Sequence, residues 1–177
     1  MLNRLVSLFA LAILLCGCVL DSPDPLFKEA EGEMIFGKTE SHFKGLSLDH
    51  GAWVQTDKDA LLTLIPEGHH YLMKTPDQKP EDGNTTVLAV SLDAGWFALQ
   101  VTENTKPPIF AAGRFDGKDF SVIPIMCSDL KKKSPGEKAI SFDGIDCHVK
   151  AGEDGRKLLG GIAPRLDPPQ MKLVPIP

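Results

Sequence analysis

Aromatic side chains are scarce in this 177-residue chain, which has one Tyr and two Trp beside nine Phe. Basic charge is also short, with 19 Lys and Arg against 24 Asp and Glu and a formal net charge of −5. That balance argues against nucleic acid as a partner and against a polybasic membrane patch. The chain has no G-x-S-x-G, no phosphate loop and no dinucleotide fingerprint. Helix-period apolar stretches are absent too, and 16 Gly with 14 Pro interrupt the chain every few residues.

The one long apolar run, Leu5 to Leu15, follows Arg4 and is too short to cross a bilayer as a permanent helix. It ends in Leu15-Cys16-Gly17-Cys18, followed by the Asp- and Pro-rich stretch Asp21-Ser22-Pro23-Asp24-Pro25. This start resembles the signal peptide and lipobox of bacterial lipoproteins: an aliphatic residue, a tolerant position, a small residue, then the modified Cys. The resemblance covers the first eighteen residues. It implies cleavage after residue 17, a diacylglycerol thioether on Cys18, and N-acylation of the new terminus. Leu15 before Cys16 fits the small-residue requirement poorly, so Cys18 is the expected acceptor. Three acyl chains at about 0.8 kcal/mol per buried CH₂ make attachment effectively permanent. Val19 is not the Asp that commonly retains lipoproteins in the inner membrane, so the family pattern implies outer-membrane placement facing the periplasm.

Without residues 1–17, and so without Arg4, the formal charge moves from −5 to −6. Only Cys127 and Cys147 remain beside the acylated Cys18. In an oxidising envelope compartment two leftover cysteines pair, so a Cys127–Cys147 disulfide is expected. Neither C-x-x-C spacing nor accompanying ligands support a redox or metal role for them.

The expected organisation is a signal peptide at 1–17, a lipidated flexible tether at 18–33, one β-rich domain at 34–162 and a Pro-rich tail at 163–177. Treated as flexible, the tether would span about 20 Å r.m.s.. The tail is too rich in Pro for a helix or a central strand, leaving an extended segment packed along the domain or a free polyproline II stretch. Within the domain the apolar period is two. Phe97, Leu99 and Val101 share a face, and Thr85 to Leu92 reads as a strand buried on both sides. The fold class is therefore mainly β, a small antiparallel sandwich or barrel-like meander. Ser47-Leu48-Asp49, Ser91-Leu92-Asp93 and Ser141-Phe142-Asp143 recur at 44 and 50 residues, which leaves a trefoil-like arrangement of three units as the alternative.

The clearest element is a hairpin over 139–149, with Asp143-Gly144 as a two-residue turn. That turn pairs Phe142 with Ile145 and Ile140 with Cys147. Ile140, Phe142, Ile145, Cys147 and Val149 then face inward, whereas Asp146, His148 and Lys150 face outward. Cys127 shares the parity of Ile123 and Ile125, so both cysteines point to the core. Asp154-Gly155 reads as a further turn that sets Glu153 opposite Arg156.

Candidate chemistry is thin. Asp146 and His148 share the outer face of the hairpin, and an Asp–His pair can act as base and orienter. No Ser or Cys nucleophile is tied to them by spacing, so a solvated surface pair is the simpler account. Ser128-Asp129-Leu130-Lys131 and Ser41-His42-Phe43-Lys44 match S-x-x-K, but neither lies on an expected helix and the partner motifs are missing. His69 and His70 are adjacent and face opposite ways on a strand, and His42 and His50 lack ligand spacing, so no metal or other cofactor is implied. Lys131-Lys132-Lys133 reads as a solvated loop. Trp53, Trp96 and Tyr71 read as core aromatics rather than a binding groove. The function expected is a non-enzymatic binding or structural module, held to the membrane by lipid and meeting an envelope protein or cell-wall partner through edge strands or hairpin loops. A small periplasmic hydrolase using Asp146 and His148 is the alternative.

Overall fold

The computed structural model describes residues 19–55, 61–76, 83–104, 106–133, 138–150, 152–166, 168–169 and 171–176. In chain order the strands before the first helix are β1 (Ser41–Asp49), β2 (Ala52–Gln55), β3 (Leu61–Glu67), β4 (His70–Lys74), β5 (Thr85–Ser91), β6 (Phe97–Glu103), β7 (Ile109–Asp116) and β8 (Asp119–Pro124). Then come helix α1 (Cys127–Lys133), the hairpin β9 (Ile140–Asp143) and β10 (Asp146–Val149), helix α2 (Gly155–Ile162), and finally β11 (Met171–Ile176).

Eight antiparallel strands close into a barrel, in the order β1-β3-β4-β5-β6-β7-β8-β11 and back to β1. Of the arrangements the sequence allows, the barrel-like meander is the one formed, and the trefoil-like alternative is not. The long strand β1 makes closure possible. One of its edges pairs with β11 over His42–Ser47. The other edge pairs with β3 through Ser41–Lys44 and with the extra strand β2 through Leu46–Asp49.

Two cores follow from the period of two. On β5, Val87 and Ala89 enter the barrel, whereas Leu88 and Val90 face an outer layer, which explains the continuous apolar run. Phe97, Leu99 and Val101 of β6 share the barrel face. Gly113 leaves room for the buried ring of Phe120, since a Cβ there would stand 2.4 Å from it. Outside, the N-terminal segment, α1, the β9–β10 hairpin and α2 pack Leu20, Phe27, Leu130, Ile140, Leu159 and Ile162 against the barrel wall.

Three expectations are corrected here. The tether expected at 18–33 is, from Val19 on, part of the fold, with Leu20, Ser22 and Phe27 buried. Buried Gln100 of β6 holds it, its Oε1 accepting from the amides of Leu26 (2.9 Å) and Phe27 (3.1 Å). The C-terminal segment is the extended, packed alternative rather than a free polyproline II stretch, but against the expectation that its Pro content bars a central strand, β11 pairs with β1 and β8 and closes the barrel. Its pairing with β8 stops at Leu173, so Pro175 lies where β1 is the only neighbouring strand and a missing amide is tolerated. The domain thus extends beyond 34–162 at both ends. The third correction is Asp154-Gly155, which starts α2 instead of a hairpin. Asp154 caps the helix by accepting from the Lys157 amide at 3.1 Å, and Leu158, Leu159 and Ile162 form the buried face. Arg156 therefore meets Glu31 (3.6 Å) and the Ser91 carbonyl rather than Glu153.

Candidate functional site

The β9–β10 hairpin forms with a different turn. Phe142 pairs with Cys147, Ile140 with Val149 and Asp143 with Asp146, so the turn residues are Gly144 and Ile145. Gly144 has φ +59°, which fits a two-residue turn with glycine first. Because the centre moves by one residue, each pair shifts by two and the faces survive. Ile140, Cys147 and Val149 are buried and Phe142 shares their side at 38% exposure, but Ile145 leaves the core and is 66% exposed. Cys127, the first residue of α1, and Cys147 form a disulfide with Cα atoms 5.5 Å apart.

Asp146 and His148 do lie on the outer face, but they are not each other's partners. His148 Nδ1 meets the Asp21 carboxylate. Asp21 runs parallel to β10, its amide donating to the Cys147 carbonyl (3.3 Å) and its carbonyl accepting from the Val149 amide (2.8 Å). The hydrogen bond to Asp21 raises the His148 pKa. Partial burial opposes the rise, and the charges of Asp21, Asp146 and Asp143 add to it. Across the ladder, Ser141 donates to the His148 main-chain carbonyl at 3.2 Å, so its hydroxyl is engaged away from the ring. The arrangement joins the N-terminal segment to the hairpin through a carboxylate–imidazole contact. Asp21 was invisible in the sequence, since a lone Asp among Pro and Ser looks like linker.

The barrel interior offers a second candidate, a cavity of about 50 Å³. Leu64, Met73, Val87, Leu99, Ile109 and Val122 are among its walls, and Glu103 is the one charged residue lining it. Glu103 is paired with Lys106 at 2.7 Å. The volume is far below the ~300 Å³ at which pockets for drug-sized ligands begin. Phe36, supplied by the N-terminal segment, packs edge-on against Phe43, Tyr71 and Phe120 inside the barrel. The Tyr71 hydroxyl accepts from the Phe36 amide (2.9 Å) and donates to the Gly37 carbonyl (3.1 Å). Burial raises the Tyr71 pKa, against a smaller lowering by the Phe36 bond.

The remaining candidates disperse. Ser128 and Lys131 lie on α1, a helix the sequence did not suggest, and the Lys131 ammonium donates to the Gly144 carbonyl at 2.5 Å and lies 5.3 Å from the Phe142 ring centre. Ser41 donates to the Phe36 carbonyl, and three residues on along a strand Lys44 points to the other face. His42 meets Glu40, His50 meets Asp49, and His70 sits between Glu29 and Glu67. Among the described residues no three His, Cys, Asp or Glu converge as metal ligands. Tyr71 is core, as expected, whereas Trp53 and Trp96 are half-buried and carry Lys172 and Arg114 at 4.9 and 5.0 Å from their ring centres. Cys18 falls outside the described residues. No protein-family model matches this chain, and no curated protein or solved structure is detectably similar to it.

Proposed function

We propose that the chain is an envelope lipoprotein, acylated on Cys18 in the outer membrane facing the periplasm, whose barrel is a rigid, non-enzymatic module for an envelope protein or cell-wall partner. The observation that carries this reading is the entry of the chain into the fold immediately after the lipobox. Val19 bridges Met126, and Leu20 is fully buried, donating to the Ile125 carbonyl (2.8 Å) and accepting from the Phe110 amide (3.1 Å). The fold thus begins at the residue after Cys18, which supports a body held against its anchor without a spacer. Closure of the barrel removes the long free edges through which a sheet recruits another strand, so loops and outer faces are the available contact surfaces.

The rival reading, a small hydrolase, would place His148 with Asp21 rather than Asp146. It would also require Ser141 to leave the His148 carbonyl, so the geometry favours a structural contact. The test of the proposal is expression of the full-length chain and of Cys18→Ser in a bacterial envelope with an alkyne-tagged fatty acid. Wild type should carry label on the cleaved N-terminal Cys and fractionate with the outer membrane, whereas the variant should stay unprocessed and unlabelled. A Cys18→Ser chain that is still mature-sized and acylated would end this reading.

A further inference from the structure

We propose that the β9–β10 turn and the neighbouring helix α1 form a second membrane contact, with Phe142 and Ile145 entering the leaflet that holds the lipid anchor and Lys131 and Lys132 lying at its phosphates. This rests on acylation of Cys18 and specifies how the body sits on the membrane. Direction is the first argument. Asp21 pairs in parallel with His148, so the chain traced back from Asp21 to Val19 runs alongside β10 toward Asp146 and the turn. Val19 itself bridges Met126, the residue before α1. The covalent neighbour of Val19 is Cys18, with Cα atoms about 3.8 Å apart. Val19, the residue that follows the proposed acceptor, therefore lies between α1 and the hairpin, at the turn end.

Composition at that end is the second argument. Ile145 is the most exposed of the large apolar side chains described, at 66%, and Phe142 is 38% exposed beside it. Lys131 ties α1 to this turn through the Gly144 carbonyl, and both Lys131 and Lys132 are exposed. Apolar residues at a tip with lysines behind them suit the boundary between acyl chains and anionic headgroups. The whole-chain shortage of cations conceals a local reversal. Residues 127–150 carry five Lys against Asp129, Glu137, Asp143 and Asp146, in a chain with 19 basic and 24 acidic residues. Asp143 and Asp146 flank the turn on the face opposite Phe142, which tilts the apolar side toward the leaflet.

The test uses the acylated full chain in vesicles of phosphatidylethanolamine and phosphatidylglycerol containing a lipid with brominated acyl chains, which quenches tryptophan at the membrane. A Trp is introduced by Ile145→Trp or, as a control, by Lys118→Trp. Lys118 sits in the β7–β8 turn, at the end of β7 opposite the one that meets Asp21. Emission is compared with that of wild type to remove Trp53 and Trp96. The Ile145→Trp signal should be quenched at least threefold more than the Lys118→Trp signal, and Lys131→Glu with Lys132→Glu should halve the difference. Equal quenching at the two sites in protein whose mass shows acylation would overturn the proposal and leave the anchor standing. Shielding of Ile145→Trp from aqueous acrylamide without bromine quenching would assign the tip to a second copy of the chain, again overturning it. Absence of acylation would remove both readings.

Discussion

His148 makes a side-chain contact between the hairpin and the N-terminal segment, beside the two main-chain bonds of Asp21, and its pH dependence can be derived. Asp21, Asp143 and Asp146 face it, and its folded-state pKa lies above the ordinary value of 6.5. A raised pKa means that the contact contributes fully below the unfolded pKa and is lost as pH rises through the folded one. His148 is 41% exposed, so solvent screens the pair and its worth is at most about 1 kcal/mol. His148→Gln should therefore lower the melting temperature by about 2–3 °C at pH 5.5 and by less than half of that at pH 9. Thermal melts at both pH values check this, and an equal loss at each would show that the imidazolium form is not what stabilises. Asp146, which acts on His148 only through its charge, should tolerate Asn with almost no change. The outward parity of both residues was legible in the sequence. The true partner was not, because Asp21 is separated from His148 by 127 positions.

At the scale of elements, the hairpin and its staple show how far pattern reading reaches. Alternation places Cys147 inward for either two-residue turn, because moving the turn centre by one residue shifts partners by two. That arithmetic preserved the faces while the pairing changed. Ile145 lies outside the core for a local reason: Gly144 supplies the only positive φ in the turn, so it takes the first turn position and leaves Ile145 beside it. The disulfide closes a separation of 20 residues and fastens α1 to β10. In the chain-entropy model that is about 3 kcal/mol. Cys127→Ala with Cys147→Ala should lower the melting temperature by roughly 6–12 °C at a few degrees per kcal/mol. Mass spectrometry of the non-reduced, proteolysed protein should find the two cysteines linked, and two free thiols would refute the pairing. The start of α2 is not marked by its own residues, because Asp154-Gly155 suits a turn as well as an N-cap followed by a first helical residue. Burial of Leu158, Leu159 and Ile162 against the outer layer decided between them.

For the whole molecule, barrel closure is the controlling feature, and it depends on the last described strand. Deleting residues 171–177 would open β1 and β8 to solvent and take Leu173 out of the barrel core, uncovering the interior residues it packs with, such as Phe43, Phe120 and Val122. Such a chain should lose its cooperative thermal transition and scatter light at concentrations where the full chain stays clear. A truncated chain melting cooperatively within a few degrees of the full one would show that the barrel does not need its closing strand. The outer layer has the converse role, since it covers β5 and β6 and converts Leu88, Val90 and Ala98 from exposed positions into a second core.

The period of two, the Gly and Pro punctuation and the inward parity of both cysteines determined that this chain would be an antiparallel β domain with one staple. These are local properties, set by side-chain alternation and turn chemistry within a few residues. Whether the meander would close, and which segments would count as linker, lay beyond that range. Val19–Ser22 and Met171–Ile176 have no amphipathic signal of their own. Each becomes structure because distant strands offer it unpaired hydrogen-bonding groups and an apolar site, as Ile125 and Phe110 do for Leu20 and as β1 does for β11. A segment whose stability comes entirely from contacts far away in sequence leaves no trace in its own residues, so only the tertiary structure could place it.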